Sequence, residues 1–241
     1  MKKIATVIAV LAFVTTVAFA QSSGNFSYGT SPQNDVACSI DQNGAMSGTE
    51  QCQESCTLNA DGTSTCGTPS GTCNGHAVAG IKTSSGAGNI FVVRPSAVIG
   101  LLTDVTVNSK QTVASSSALA GVDFKVTVTG PNGTNVPVIP SGYITYDSRY
   151  IQISTNLFQA LSTCSLITGG CFITFDESTV SAHSFDFLTG GPLTAGQYTV
   201  TTTWKTALGG TGISESLTCV GPLNMTVQQN KVFSFNTINP I

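Results

Sequence analysis

The placing of eight cysteines constrains this chain more than any other feature. Cys38, Cys52, Cys56, Cys66 and Cys73 form one group, and Cys164, Cys171 and Cys219 form a second. An even number of cysteines in an exported chain reads as a disulfide framework. Both groups are odd in number. If every cysteine pairs within the chain, at least one bridge must join the two groups. Cys164 and Cys171 flank Thr168-Gly169-Gly170 and are spaced to close a hairpin-like loop, which leaves Cys219 for the N-terminal group. Closing a loop that long contributes ~4–5 kcal/mol in the chain-entropy account of disulfides.

Export is read from the N-terminus. Lys2 and Lys3 precede an apolar run from Ile4 to Phe19, and Ala18-Phe19-Ala20 supplies a small-x-small cleavage site. This pattern predicts a secretory signal peptide over residues 1–20. The run is shorter than the ~20 apolar residues of a membrane span, and no later segment has the length and apolarity to cross a membrane. Gln21 follows the site, so a lipid-modified cysteine is not indicated. The expected location is secreted or extracellular, with the periplasm as the equivalent in a Gram-negative cell. In such a compartment zinc bound by Cys52, Cys56, Cys66 and Cys73 is the lesser reading, since the spacing lacks the tight double-knuckle pattern. Gly71-Thr72-Cys73-Asn74-Gly75 imitates a nucleophile elbow, but no apolar strand leads into it.

Only 9% of the 241 residues are charged, whereas soluble domains average about 25%. Glycine, Ser, Thr and Asn fill the difference. A hydrophobic fraction of 41% excludes a disordered chain. Nine Lys and Arg stand against 12 Asp and Glu, so an electrostatic hold on nucleic acid is not expected.

The chain divides into two regions after the leader. Residues 21–75 hold few large apolar side chains and carry Asn-Gly or Asp-Gly turn signals at 43–44, 61–62 and 74–75. Such a stretch buries too little surface to fold alone and is predicted as a loop-rich cap stapled by disulfides. Residues 76–241 carry short β-branched and aromatic runs between Gly, Pro and Asn turns. In 121–130, Val122, Phe124, Val126 and Val128 alternate with polar residues, the period of a half-buried strand. Further strands are predicted at 89–94, 102–107, 171–176, 181–188, 197–205, 213–219 and 223–235. Residues 142–154 read as a hairpin turning at Asp147-Ser148, and 155–162 as one short helix. No long helical period exists, which excludes a parallel sheet with crossover helices. The predicted fold is all-β, an antiparallel β-sandwich of about nine or ten strands over residues 76–241.

Residues 191–204 add a resemblance. Ala195-Gly196-Gln197-Tyr198 followed by Val200, Thr202 and Trp204 is similar to the tyrosine corner of immunoglobulin-like sandwiches. The resemblance implies a tyrosine hydroxyl bonded to upstream backbone, with Tyr198, Val200, Thr202 and Trp204 facing inward. It spans 14 residues and implies fold rather than activity. Trp204 sits on this strand rather than an early one, and no cysteine lies two residues after Tyr198. The sandwich is therefore read as immunoglobulin-like or jelly-roll-like.

Residues able to carry catalysis are few. His183 alternates with Phe185 and Phe187, and Asp186 at i+3 points to the opposite strand face. His76 follows a turn. Asp147, Asp176, Glu177, Asp186 and Glu215 are the carboxylates a glycosidase would draw on. Asp41 with Asn43, and Asn59 with Asp61, offer oxygen donors but lack a full calcium loop. No catalytic residue, metal ligand or cofactor is assigned. Tyr143, Tyr146 and Tyr150 crowd one predicted hairpin, where a ring facing solvent suits a sugar face. The expected role is a secreted, non-enzymatic surface, matrix or binding component whose partner is a glycan or an extracellular protein. The alternatives are a carbohydrate-binding module or glycan hydrolase, and a self-assembling fibre subunit joined along an edge such as 223–235.

Overall fold

The computed structural model describes residues 25–31, 36–83, 88–160, 164 and 170–231. The predicted leader lies outside these residues. Nine principal strands carry the fold: β1 (Phe26–Thr30), β2 (Glu50–Leu58), β3 (Asn74–Thr83), β4 (Asn89–Asn108), β5 (Ser115–Thr129), β6 (Ile144–Ser154), β7 (Phe172–Ser184), β8 (Gly196–Thr211) and β9 (Ile213–Lys231). All pairings between them are antiparallel. In the larger sheet β4 and β9 lie at the centre. β7 borders β4, while β1 and β2 border opposite ends of β9. In the smaller sheet the order is β6-β5-β8-β3. The chain is an all-β disulfide-rich sandwich.

Long strands replace the short ones expected. Residues 89–94 and 102–107 belong to one 20-residue strand, β4, which runs through Pro95 and Gly100. Pro cannot donate to a ladder and is normally kept off central strands. Pro95 is tolerated because it falls where the neighbour of β4 changes. Residues 92–93 pair with the short strand Phe187–Thr189, and pairing with β7 begins at Ser96. In this gap the Pro95 carbonyl accepts a hydrogen bond from the Tyr146 hydroxyl at 3.1 Å. Residues 171–176 and 181–188 likewise fuse, mostly into β7. The expected hairpin at 142–154 is one strand, β6, with a bulge between Thr145 and Asp147. Asp-Ser gives no tight turn, so the chain absorbs an extra residue and continues. The predicted helix at 155–162 is a 3-10 turn over Thr155–Ala160.

Alternation builds the core. Phe91, Val93, Ile99 and Leu101 of β4 meet Val122, Phe124, Val126 and Val128 of β5, with Tyr198, Val200 and Trp204 of β8. On β9 the inward positions are even from Ser214 to Val220 and odd from Leu223 to Val227, while Cys219 is buried on the outer face under the hairpin. A bulge between Val220 and Leu223 resets the phase. Without it every later side chain would turn to the wrong face. The apolar core occupies one half of the sandwich. In the other half most facing residues are small and polar: Thr103, Ser116, Ser214, Ser216 and Thr218 are buried there beside Val105, and Val107 packs on Phe158 in a second, smaller apolar cluster. A methyl group on Gly210 would collide with Ser214 Oγ, the Ser117 carbonyl and Cys56 Sγ, so the sheets approach closely there.

Four disulfides use all eight cysteines. Cys38–Cys219 is the bridge between the two groups, 181 residues apart in sequence, and Cys164–Cys171 closes the second loop. Cys52–Cys73 ties β2 of the larger sheet to the start of β3 in the smaller one, and Cys56–Cys66 is a cross-strand pair. The N-terminal region does not stand apart as a loop-rich cap. β1 and β2 hydrogen-bond directly to β9, and position 75 falls inside β3. Only the hairpin of Ser39–Ile40 and Met46–Ser47 lies over the outer face of the larger sheet, with Met46 against Gly100.

The lateral edges close by side chains. Ser27 Oγ donates to the Gly80 carbonyl at 2.7 Å, and Asn25 Nδ2 donates to the Lys82 carbonyl, covering the free edge of β3 with β1. A Cβ on Gly29 would stand 2.5 Å from the Val78 carbonyl, so only glycine lets β1 come this close. On the opposite side β6 faces β7. Residues 223–231, expected to offer a free edge, are flanked by β4 and β1 instead.

Candidate functional site

The β6–β7 seam holds the grouping that most resembles catalytic machinery. His183 Nε2 lies 2.6 Å from Ser181 Oγ and 3.2 Å from Asp147 Oδ2. Ser181 Oγ also lies 3.2 Å from Asp147 Oδ2. Ser181 and His183 share a strand face through period two, and Asp147 reaches them from the other sheet. A hydrolytic triad needs the carboxylate on one ring nitrogen and the nucleophile on the other, so that the base is oriented while it takes the proton. Here both partners converge on the same nitrogen. The geometry ties the two sheet edges together and does not relay a proton.

Two residues along, Arg149 Nη2 continues the seam to Thr179 Oγ1 at 3.0 Å and Glu177 at 3.5 Å. Asp186, considered as an orienting group, pairs with Arg94 at 2.6 and 2.7 Å. The Arg94 hydrogen bond holds its carboxyl below the usual range. His76 stands exposed on the outer face of β3.

The remaining carboxylates collect elsewhere. Asp176, Asp104 and Glu215 pair in register across β7, β4 and β9 on the outer face of the larger sheet. Partial burial raises the Asp104 pKa, and the charges of Asp176 and Glu215 raise it further. Asp104 was not singled out from sequence. Its signal exists only in the register that sets three acids side by side. These acids lie on the opposite face of the same sheet from His183, so the candidate residues do not gather in one cleft.

The metal readings meet occupied ligands. Glu54, Cys56 and Cys66 place three ligand atoms within 4.8 Å of one another, but both sulfurs belong to a disulfide and offer no thiolate. Asp41 Oδ1 accepts from the backbone N–H of Asn43 and of Ala45. Asp61 Oδ1 accepts from the N–H and hydroxyl of Thr63, and these bonds hold its pKa low. Both side chains stabilise turns.

The three tyrosines separate. Tyr146 turns inward at the bulge, stacks on Phe124 with centroids 4.1 Å apart and donates to the Pro95 carbonyl. Tyr143 and Tyr150 are 44% and 60% exposed. Tyr150 pairs opposite Leu119, while Tyr143 lies over Lys125 and Lys205 at 5.8 and 4.5 Å. At ~3.3 Å per residue the two exposed rings stand about 20 Å apart along the sheet. Tyr198 donates to the Thr194 carbonyl at 2.8 Å, beside a pocket of about 210 Å³ lined by Val136, Pro137, Pro192 and Leu193.

Among the described residues no helix is long and apolar enough to cross a membrane. No family model matches the chain, and no curated protein matches it. Two solved structures align at a level too low to inform the fold. Dimeric latent PorU from Porphyromonas gingivalis aligns at 11% identity and TM-score 0.14, over 91% of this chain and 22% of that one. The chain thus spans about a fifth of that protein's length. The T13 viral particle of IBDV aligns at 10% identity and TM-score 0.11, over 95% of this chain and 87% of that one.

Proposed function

We propose that this chain is an exported, non-enzymatic structural or binding component of a cell surface or extracellular matrix. The observation that carries the reading is the use of all eight cysteines in four disulfides, one of which joins Cys38 to Cys219 across 181 residues. Such bridges persist in oxidising compartments and are rare in the cytosol. The seam at His183 supports a structural role, because its polar groups are spent on each other. The Tyr198–Thr194 bond supports an immunoglobulin-like reading of this part of the sandwich. A glycan-binding role would rest on Tyr143 and Tyr150, since Tyr146 is committed to packing.

The test is the fate of the chain in a secreting host. N-terminal sequencing of the extracellular product should begin at Gln21, and alkylation before reduction should find no reactive thiol. Recovery from the cytosol with residues 1–20 attached and eight alkylatable cysteines would overturn the reading.

A further inference from the structure

The two outer faces of the sandwich carry opposite charge. On the smaller sheet, Lys82, Lys125 and Lys205 project outward from β3, β5 and β8, with His76 in the row of Lys125. Lys125 and Lys205 converge on the exposed ring of Tyr143. Asp123 is the acid among them, held to Lys205 at 3.9 Å and accepting from Thr145. The surrounding positions are Thr127, Thr129, Thr199, Thr201 and Thr203, a flat row of short side chains.

On the larger sheet the outward row Asp176–Asp104–Glu215 is acidic. The flanking rows, Thr174–Thr106–Ile213 and Ser178–Leu102–Leu217, carry no base. Asp104 Oδ1 is buried without a hydrogen-bond partner, and Gln53 reaches only the neighbouring Glu215. Like charges placed directly opposite on adjacent strands are destabilising. The fold keeps three of them together with nothing of opposite sign in the adjoining rows.

We infer that the occupant of each face is the opposite face of a second copy of this chain, the lysines around Tyr143 docking on the Asp176–Asp104–Glu215 row. The match is one of charge. Short side chains surround both charged rows, and exposed Val78 and Tyr143 on one side meet half-buried Leu102 and Leu217 on the other, beside the hairpin that covers Gly100. Because the two patches differ and lie on opposite sides, the contact is heterologous. Each addition leaves one face of each kind free, so the assembly is open-ended. The hairpin covers the larger sheet around Gly100, so four strands at ~4.8 Å spacing over about six residues present roughly 400 Å² per partner, below the size of a standard specific interface. A contact of that size held by surface charges is reversible and sensitive to salt. The inference rests on the extracellular structural reading only in requiring a persistent, oxidised scaffold.

Sedimentation velocity of the purified oxidised chain from about 10 to 500 μM tests it. At 20 mM salt the weight-average sedimentation coefficient should rise with concentration, and at 500 mM it should fall to the monomer value. Lys125→Glu with Lys205→Glu should give monomer throughout, as should Asp176→Lys with Glu215→Lys. An equimolar mixture of the two double variants sets every acidic face against a basic one, so association should return at 20 mM salt although each variant alone stays monomeric. Circular dichroism identical to the parent chain would establish that the variants fold, and the parent's salt and concentration series stands without them. A parent chain monomeric at every concentration in low salt overturns the proposal. So does capture of a soluble polyanion on the lysine face without self-association, which would assign that face to another partner. Neither outcome touches the location of the N-terminus or the thiol count, so this failure is distinct from failure of the export reading.

Discussion

The bulge in β6 decides what each tyrosine does. Before it, Tyr143 lies outward across from Lys125. Tyr146 is the extra residue of the bulge and lies on Phe124, and after it Tyr150 faces solvent opposite Leu119. Truncating Tyr146 to Ala removes a stacked ring and leaves a void, which costs ~3 kcal/mol or somewhat less at a half-buried site. The same change at Tyr150 should stay within about 0.5 kcal/mol. Urea denaturation of the two variants separates them, and equal midpoints would refute the packing assignment. Asp104 gives a prediction of opposite sign. Its folded pKa lies above its unfolded value, so ionisation opposes folding. That cost is fully present above the folded pKa and disappears as pH falls below the unfolded pKa, ~3.9. Asp104→Asn should therefore raise the melting temperature at pH 7, with the gain shrinking toward pH 4. A gain independent of pH would point to packing rather than charge.

At the scale of strands, the sequence carried period and missed continuity. Val122, Phe124, Val126 and Val128 were legible because a strand with one buried face writes that face every second residue. β4 and β9 were cut in two because Pro95, Gly100 and Gly221-Pro222 read as breakers. Each instead sits where a partner changes, a hairpin lies close or a bulge resets the phase. β2, Glu-Gln-Cys-Gln-Glu-Ser-Cys-Thr-Leu, was missed altogether. Thr57 is its one β-branched residue, and its buried positions are Cys52 and Cys56, which a sequence pattern does not mark as strand. Parity alone required a bridge between the two cysteine groups, whereas the choice of Cys38 depended on the hairpin that carries it across the outer face. Removing that bridge with Cys38→Ala and Cys219→Ala enlarges the unfolded ensemble by a 181-residue loop, worth ~5 kcal/mol in the chain-entropy account. The variant's denaturation midpoint should fall accordingly. A loss below about 1 kcal/mol would mean that β9 and the hairpin already hold each other.

Across the whole molecule the sandwich is stabilised by two different means at its two ends. One half buries Phe91, Ile99, Phe124 and Trp204 between the sheets. The other faces mostly Ser, Thr and Gly across a thin gap, with only Val105 and the small cluster of Val107 and Phe158 as apolar filling, and places Cys52–Cys73 and Cys56–Cys66 beside it. Small polar side chains there release little hydrophobic free energy, so covalent bonds must replace it. The site candidates were the least legible part of the chain for the same reason. Asp147 meets Ser181 and His183 across the seam between the two sheets, and Asp104 meets Asp176 and Glu215 through pairings between strands distant in sequence. This division predicts unequal opening on reduction. Native-state hydrogen exchange, which resolves regional stability, should show protection falling at least tenfold in residues 50–66 and 206–218 once the disulfides are reduced. Amides of 91–101 and 122–128 should keep theirs, because the apolar half does not need the bridges to stay closed. Uniform loss across both halves would mean that the sandwich opens as one cooperative unit and that its cystines hold the aromatic core as well.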